Sequence, residues 1–350
     1  MTLLAALTGD ADVEALLSDS AQLQAMLRFE EALAASEAAA GMISEPAASA
    51  VRVAIEGFVP DWQELKSGMA RDGVVVPALI KQLRQRVEPE HANALHMGAT
   101  SQDVIDTALM LQLSEVLAVL DARLVNLLDK LGRMASADAD LPLMAHTRMQ
   151  AALPTTVGEK LRTWRKPLVR HLDAVSVCRR QLAVQLGGPV GDRLSFDGKG
   201  DEIARDLAGR LGLAAAAPWQ SMRDPVVSFG SLLALISGSM GKLGADVTML
   251  AQTEIGSVRL EGAGGSSSMP HKANPVSAEV LVSLARFNAG LMGTLHQAMV
   301  HENERSGAAW TLEWMVLPQM CIATGASLRL GNTLLEQLRF TERLERKEKE

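Results

Sequence analysis

Three polar segments interrupt a chain rich in leucine and alanine, and each carries residue types suited to an anion. The first, "HMGATSQD" (96–103), sets His96, Gly98, Thr100 and Ser101 ahead of a long apolar-periodic run. Gly98 frees the backbone, while the two hydroxyls and the open amides of a helix N-terminus are anion ligands. Taken alone, the segment reads first as a capping sequence. The second, "AHTRMQAALPTT" (145–156), places His146, Thr147, Arg148 and Gln150 just before another helical run. Arg148 is its natural carboxylate ligand, because a guanidinium offers forked donors. A plain surface turn is the alternative. The third, "GGSSSMPHKANP" (264–275), joins the glycines and serines of a mobile loop to the charge of Lys272 and the amide of Asn274. A flexible linker explains the small residues but not the fixed order Met-Pro-His-Lys-x-Asn-Pro.

Long helices must position these segments. From Asp103 to Met134, Ile105, Leu109, Val116, Leu120, Leu124 and Leu128 recur mostly three, four or seven apart, as on one helix face. Thr100 and Ser101 are its cap candidates, and Asp103 and Asp106 suit its first turn. Further helices are expected over 156–186, kinked at Pro167 and stopped by Gly187-Gly188, then over 225–258, 275–300 and 308–340. Ahead of them, a helix over 20–41 and shorter ones to Val87, broken near Pro60 and Gly73, form a small layer. Alternating strands are absent, which argues against a doubly wound sheet. The fold expected is all-α: an N-terminal helical domain over 1–100 and a central five-helix bundle over 101–342. A charged tail follows over 343–350. Helices this long need bundle packing within or between subunits, so a homotetramer is expected.

The bulk properties exclude several partners. A net charge of −7 with no basic block argues against nucleic acid. No run of about 18 uninterrupted apolar residues suggests a membrane span. The start lacks a basic n-region and cleavage site, and Cys178 and Cys321 form no disulfide framework. A cytoplasmic protein is expected. His91 and His96, like His296 and His301, are five apart and so not on one helical face. No HExxH or CxxC accompanies them, so no metal is expected. Tyrosine is absent and aromatics make up only 3%, so the core must be aliphatic.

"GSSSMPHKANP" resembles the GSSxMPxKxNP signature of the fumarase/aspartase/argininosuccinate lyase superfamily. "GATSQDVIDT" is similar to its threonine-serine carboxylate-binding segment, and "HTRMQAALPTTVGEK" to another shared region. "HENERS" (301–306), with Arg305, resembles the stretch before the last bundle helix. The resemblance runs from Leu23 to Phe340. It implies a helical tetramer whose active sites are shared between subunits, with no cofactor and a small di- or tricarboxylate as substrate. Many relatives continue into a third small helical domain, for which no counterpart is expected here. By the same resemblance Ser266 is the catalytic base, while Lys272 and Asn274 hold the carboxylate on which charge develops. Thr100, Ser101, Thr147, Gln150, Arg305 and His96 complete the substrate contacts.

One departure from the family pattern points to a reaction. The lyases usually carry histidine after the threonine of the second segment, where it assists an amine or hydroxide leaving group. Here Arg148 stands there. A carboxylate, with a pKa of about 4, leaves or attacks without a proton. The resemblance therefore favours the branch that lactonises 3-carboxy-cis,cis-muconate, with Arg148 as catalytic residue on the reacting carboxylate. A sulfonated muconate, adenylosuccinate cleavage and a crystallin-like structural tetramer are the alternatives.

Overall fold

The computed structural model describes residues 3–262, 264–265, 269 and 273–341. Ser266, His271 and Lys272 therefore lie outside the described residues. Six helices open the chain: α1 (Ala5–Thr8), α2 (Ala11–Leu16), α3 (Asp19–Ala39), α4 (Glu45–Ile55), α5 (Trp62–Asp72) and α6 (Val76–Arg84). The bundle is α7 (Ser101–Asp138), α8 (Val157–Gln181), α10 (Asp224–Leu250), α11 (Val276–Ala298) and α12 (Gly307–Gln337). Between α8 and α10 lies the shorter α9 (Gly200–Leu211). The expected all-helical architecture is thus what the chain adopts.

Periodicity explains where these helices bury themselves. Leu113, Val116, Leu117, Leu120, Leu124, Leu127 and Leu131 of α7 are fully closed off, and α7 packs against α8 and α12. The tightest pairing joins α10 to α11, and α11 in turn lies on α12. A buried polar knot sets the register of these three. Asn288 of α11 donates to Ser237 of α10 at 3.1 Å and to Thr324 of α12 at 2.9 Å. Helix α10 is long and apolar enough to cross a membrane, but 61% of its most apolar window is buried inside the protein. A second apolar core joins α3, α4, α6, the first turns of α7, and α9.

Three helix ends differ from expectation. Helix α8 stops at Gln181 rather than near Leu186, because Leu182, Val184 and Leu186 turn inward as extended chain. There Gln185 donates its amide to Thr107 Oγ1 at 2.9 Å. Helix α10 ends at Leu250, not Val258, and α12 at Gln337. The stretches beyond them pair as two short antiparallel strands, β3 (Val258–Leu260) and β4 (Leu338–Phe340).

The second polar segment is also more ordered than a turn. It forms an antiparallel hairpin of β1 (Pro142–Thr147) and β2 (Gln150–Thr156), closed at the pair Thr147–Gln150. The two-residue loop is Arg148-Met149, with φ of 50° and 67°. Such a loop needs positive φ at both positions, and Asn-Gly normally fills it. An arginine and a methionine there cost on the order of 1 kcal/mol each. The hairpin's substantial packing beyond itself is on α8.

Candidate active site

The structure gathers the first polar segment with three stretches far away in sequence. Asp103, wholly buried in the first turn of α7, accepts from the amides of Thr100 (3.0 Å), Gly187 (2.7 Å) and Gly188 (2.9 Å). Gln185 Nε2 adds a fourth bond at 3.1 Å. Burial pushes the Asp103 carboxyl up to about 6, against the opposing pull of those donors. Its bonds to Gly187 and Gly188 tie the Gly-Gly turn beneath the loop before α7. Gly188, at φ 71°, could not be replaced there: a Cβ would meet Ser195 Oγ at 2.5 Å and the Gly98 carbonyl at 3.0 Å.

Arg305, just before α12, crosses to the same place. Its Nε donates to Gln102 Oε1 at 2.8 Å, and its Nη2 lies 3.4 Å from Thr100 Oγ1 and 3.3 Å from the Pro189 carbonyl. Gln102 is held in turn by donating to the Gln220 carbonyl at 2.7 Å and to Asp106 at 3.1 Å. Thr100, Ser101 and Arg305 thus bring two hydroxyls, a guanidinium and the N-terminal end of a 38-residue helix to one side of the fold. Hydroxyls, a guanidinium and a helix N-terminus are the donor types a carboxylate can use.

Beneath it lies a wholly buried ion network. Arg223 bonds Asp106 through Nη1 (2.6 Å) and Nη2 (3.1 Å), and Glu313 through Nε (2.9 Å) and Nη2 (2.6 Å). Trp310 Nε1 donates to Asp106 at 3.1 Å, and Arg223 sits 4.9 Å from the Trp219 ring centroid. His301 Nε2 is 3.5 Å from Glu313 Oε1. Burial pushes the Glu313 carboxyl up, but Arg223 and His301 outweigh it and hold it below its usual value. The network joins α7, α10, α12 and the loop carrying Arg305. Sequence reasoning did not single out Gln102, Gln185, Arg223 or Glu313. Gln102 lies within the first polar segment, and Arg223 stands between a tryptophan and an apolar helix in "PWQSMRDPVVSF".

The remaining candidates are placed elsewhere in the subunit. Thr147, Arg148 and Gln150 are exposed at the hairpin tip. Asn274 closes the base of the third segment, exchanging backbone bonds with Gly264 at 2.8 and 3.1 Å. His96 binds Glu30 behind the loop, Nδ1 to Oε1 at 2.7 Å. An apolar cavity of about 180 Å³ between Met26, Leu65, Ile105 and Trp314 contains none of these candidates.

A helical bundle with polar segments at its helix ends, one facing an arginine from the far end of the chain, has the frame of a lyase. Residues 10–288 match the family described as Lyase, and the chain belongs to that family, within the fumarase/aspartase superfamily. Among its relatives, 3-carboxy-cis,cis-muconate cycloisomerase of Pseudomonas aeruginosa is 40% identical over 94% of this chain and 73% of the relative. The enzyme of that name from Pseudomonas putida is 39% identical over 92% and 78%. The crystal structure of 3-carboxy-cis,cis-muconate lactonizing enzyme from Pseudomonas putida superposes with a TM-score of 0.90 at 37% identity. It covers 97% of this chain and 77% of that one.

Proposed function

We propose that the protein is a cycloisomerase that lactonises 3-carboxy-cis,cis-muconate to 4-carboxymuconolactone, a step of protocatechuate degradation. The observation that carries this reading is the relatives of that activity, alike over more than nine-tenths of the chain. In the reaction a carboxylate oxygen of the substrate bonds to one carbon of a double bond, and the neighbouring carbon gains a proton. Charge collects meanwhile on the adjoining carboxylate. Ser266 exchanges the carbon-bound proton, while Lys272 and Asn274 hold the carboxylate that accumulates charge. Thr100, Ser101 and Arg305, with His96 from the loop that leads into them, bind a second carboxylate, and Arg148 the reacting one, with Thr147 and Gln150 at its side.

Hairpin and helix-end residues stand apart within one subunit, which supports a homotetramer with active sites assembled between chains. Leu235, Phe287 and Met315, on α10, α11 and α12, are 62%, 46% and 61% exposed, as residues awaiting a neighbouring subunit would be. The strained backbone at Arg148 supports a role for its side chain, because strain persists where function maintains it. Free Cys178 and Cys321 accord with a cytoplasmic enzyme. The test is to incubate the purified protein with 3-carboxy-cis,cis-muconate and follow loss of the conjugated-diene absorbance. Turnover of adenylosuccinate with none of the muconate would overturn the reading.

A further inference from the structure

Behind the first polar segment lies a buried acid pair that the proposed reaction does not use. Glu30 and Glu37, seven residues apart on α3, are 1% and 0% exposed. Seven residues are two helical turns, so both project from one face. Glu30 Oε1 meets His96 Nδ1 at 2.7 Å. Its Oε2 and both oxygens of Glu37 have no hydrogen-bond partner among the described residues. Two adjacent bare carboxylates in such a place would be very costly. The pair avoids this because Glu37 stays protonated: burial first, then the Glu30 charge, pushes it up to about 9. One anion remains, and His96 is its partner.

His96 is itself held in an uncommon shape. Its φ is 60° and its side chain is 15% exposed. It stands in the loop that runs through Gly98 to Thr100 at the head of α7. Burial works against a charged ring, and so does Arg84; Glu30 and Asp103 work for it and prevail, raising His96 above its ordinary value. With the Glu30 carboxylate accepting from Nδ1–H, the tautomer is set and the second nitrogen is the one that gains or loses the proton.

We propose that Glu30 is a positioning residue that holds the His96 ring in the loop leading into the carboxylate subsite of Thr100, Ser101 and Arg305. The proposal rests on the subsite assigned above. Substrate affinity then depends on the His96 proton, whereas the chemical step does not.

Steady-state kinetics against pH test this with Glu30→Gln, which keeps an acceptor oxygen and the side-chain shape but removes the charge. In the wild type, KM should climb at alkaline pH along a limb whose midpoint lies above 6.5, the ordinary histidine value. In Glu30→Gln that limb should move down by about one to two pH units, with kcat at low pH within about twofold. Glu37→Gln, which mimics the protonated acid, should leave the limb in place below pH 9. A merely structural role for Glu30 would change kcat and KM at every pH without moving the limb, and that outcome overturns the proposal. NMR titration of the His96 ring, assigned by its loss in His96→Asn, gives a readout free of turnover. A wild-type His96 that titrates at or below 6.5 overturns the proposal even if Glu30→Gln does not fold. Absence of muconate turnover with a raised His96 value would instead sink the reaction assignment and leave the Glu30–His96 pair standing.

Discussion

Arg223 and Asp106 meet in a two-bond pair, at 2.6 and 3.1 Å, with neither side chain reaching solvent. The other edge of the same guanidinium holds Glu313, so a single cation joins α10 to both α7 and α12. Removing charges from water is costly, and the pairing recovers that cost only while every partner is present. The joint also supports Arg305, because Gln102, one turn before Asp106, bonds both Asp106 and Arg305.

Arg223→Met should therefore leave two buried carboxylates without a cation. A loss of about 3–5 kcal/mol in folding stability is expected, read as a lower urea midpoint. Arg223→Lys should recover little, since an ammonium cannot reproduce the planar fork. A wild-type midpoint for the methionine variant would contradict this account of the network.

Glu37 gives stability a defined dependence on pH. In the folded state it binds its proton with a pKa of about 9, against 4.5 for an ordinary glutamate. Between those values the folded chain holds a proton that the unfolded chain has lost, so stability falls as pH rises, by up to about 1.4 kcal/mol per unit. Below 4.5 both states are protonated and the cost vanishes. Glu37→Gln should accordingly gain in Tm over wild type as pH goes from 5 to 9. A constant difference across that range would show that Glu37 is not the titrating group.

Arg148→Met should weaken binding and slow lactonisation together. A loss of about 1.5–3 kcal/mol for a charged contact corresponds to roughly tenfold to hundredfold in kcat/KM. Arg148→His should not restore activity, because a carboxylate needs no general acid to act as nucleophile or leaving group. Full activity in Arg148→Met would remove the role given to this arginine.

Ser266→Ala should lower kcat by about 10²–10⁴ while KM changes little, as expected when a proton-transfer group is removed. Near-normal turnover would take Ser266 out of the mechanism.

Light scattering at micromolar concentration should give four times the mass of one chain. A monomer at full activity would mean that the exposed apolar residues on α10–α12 have another purpose, and that one subunit builds the site alone.

Much of the frame could be read directly from the order of residues. The period of Ile105, Leu109, Val116, Leu120 and Leu124 predicted α7, and Thr100 proved to be its N-cap. Pro167 lies inside α8 as expected. The hairpin at 142–156 was missed because Arg148-Met149 is the reverse of a usual turn pair. The early end of α8 was missed because Leu182, Val184 and Leu186 alternate over too few residues to compete with the helical run before them.

The sequence by itself determined which long stretches are helix and which family signature the polar segments compose. Periodicity and short motifs are local, so the linear chain records them fully. Only the tertiary structure decided that Arg305 meets Gln102 across 203 residues, that Arg223 meets Glu313 across 90, and that Glu30 meets His96 across 66. Each partner alone looks like an ordinary surface polar group. What makes it matter is burial beside an opposite charge, and that depends on how helices pack, which no local pattern encodes.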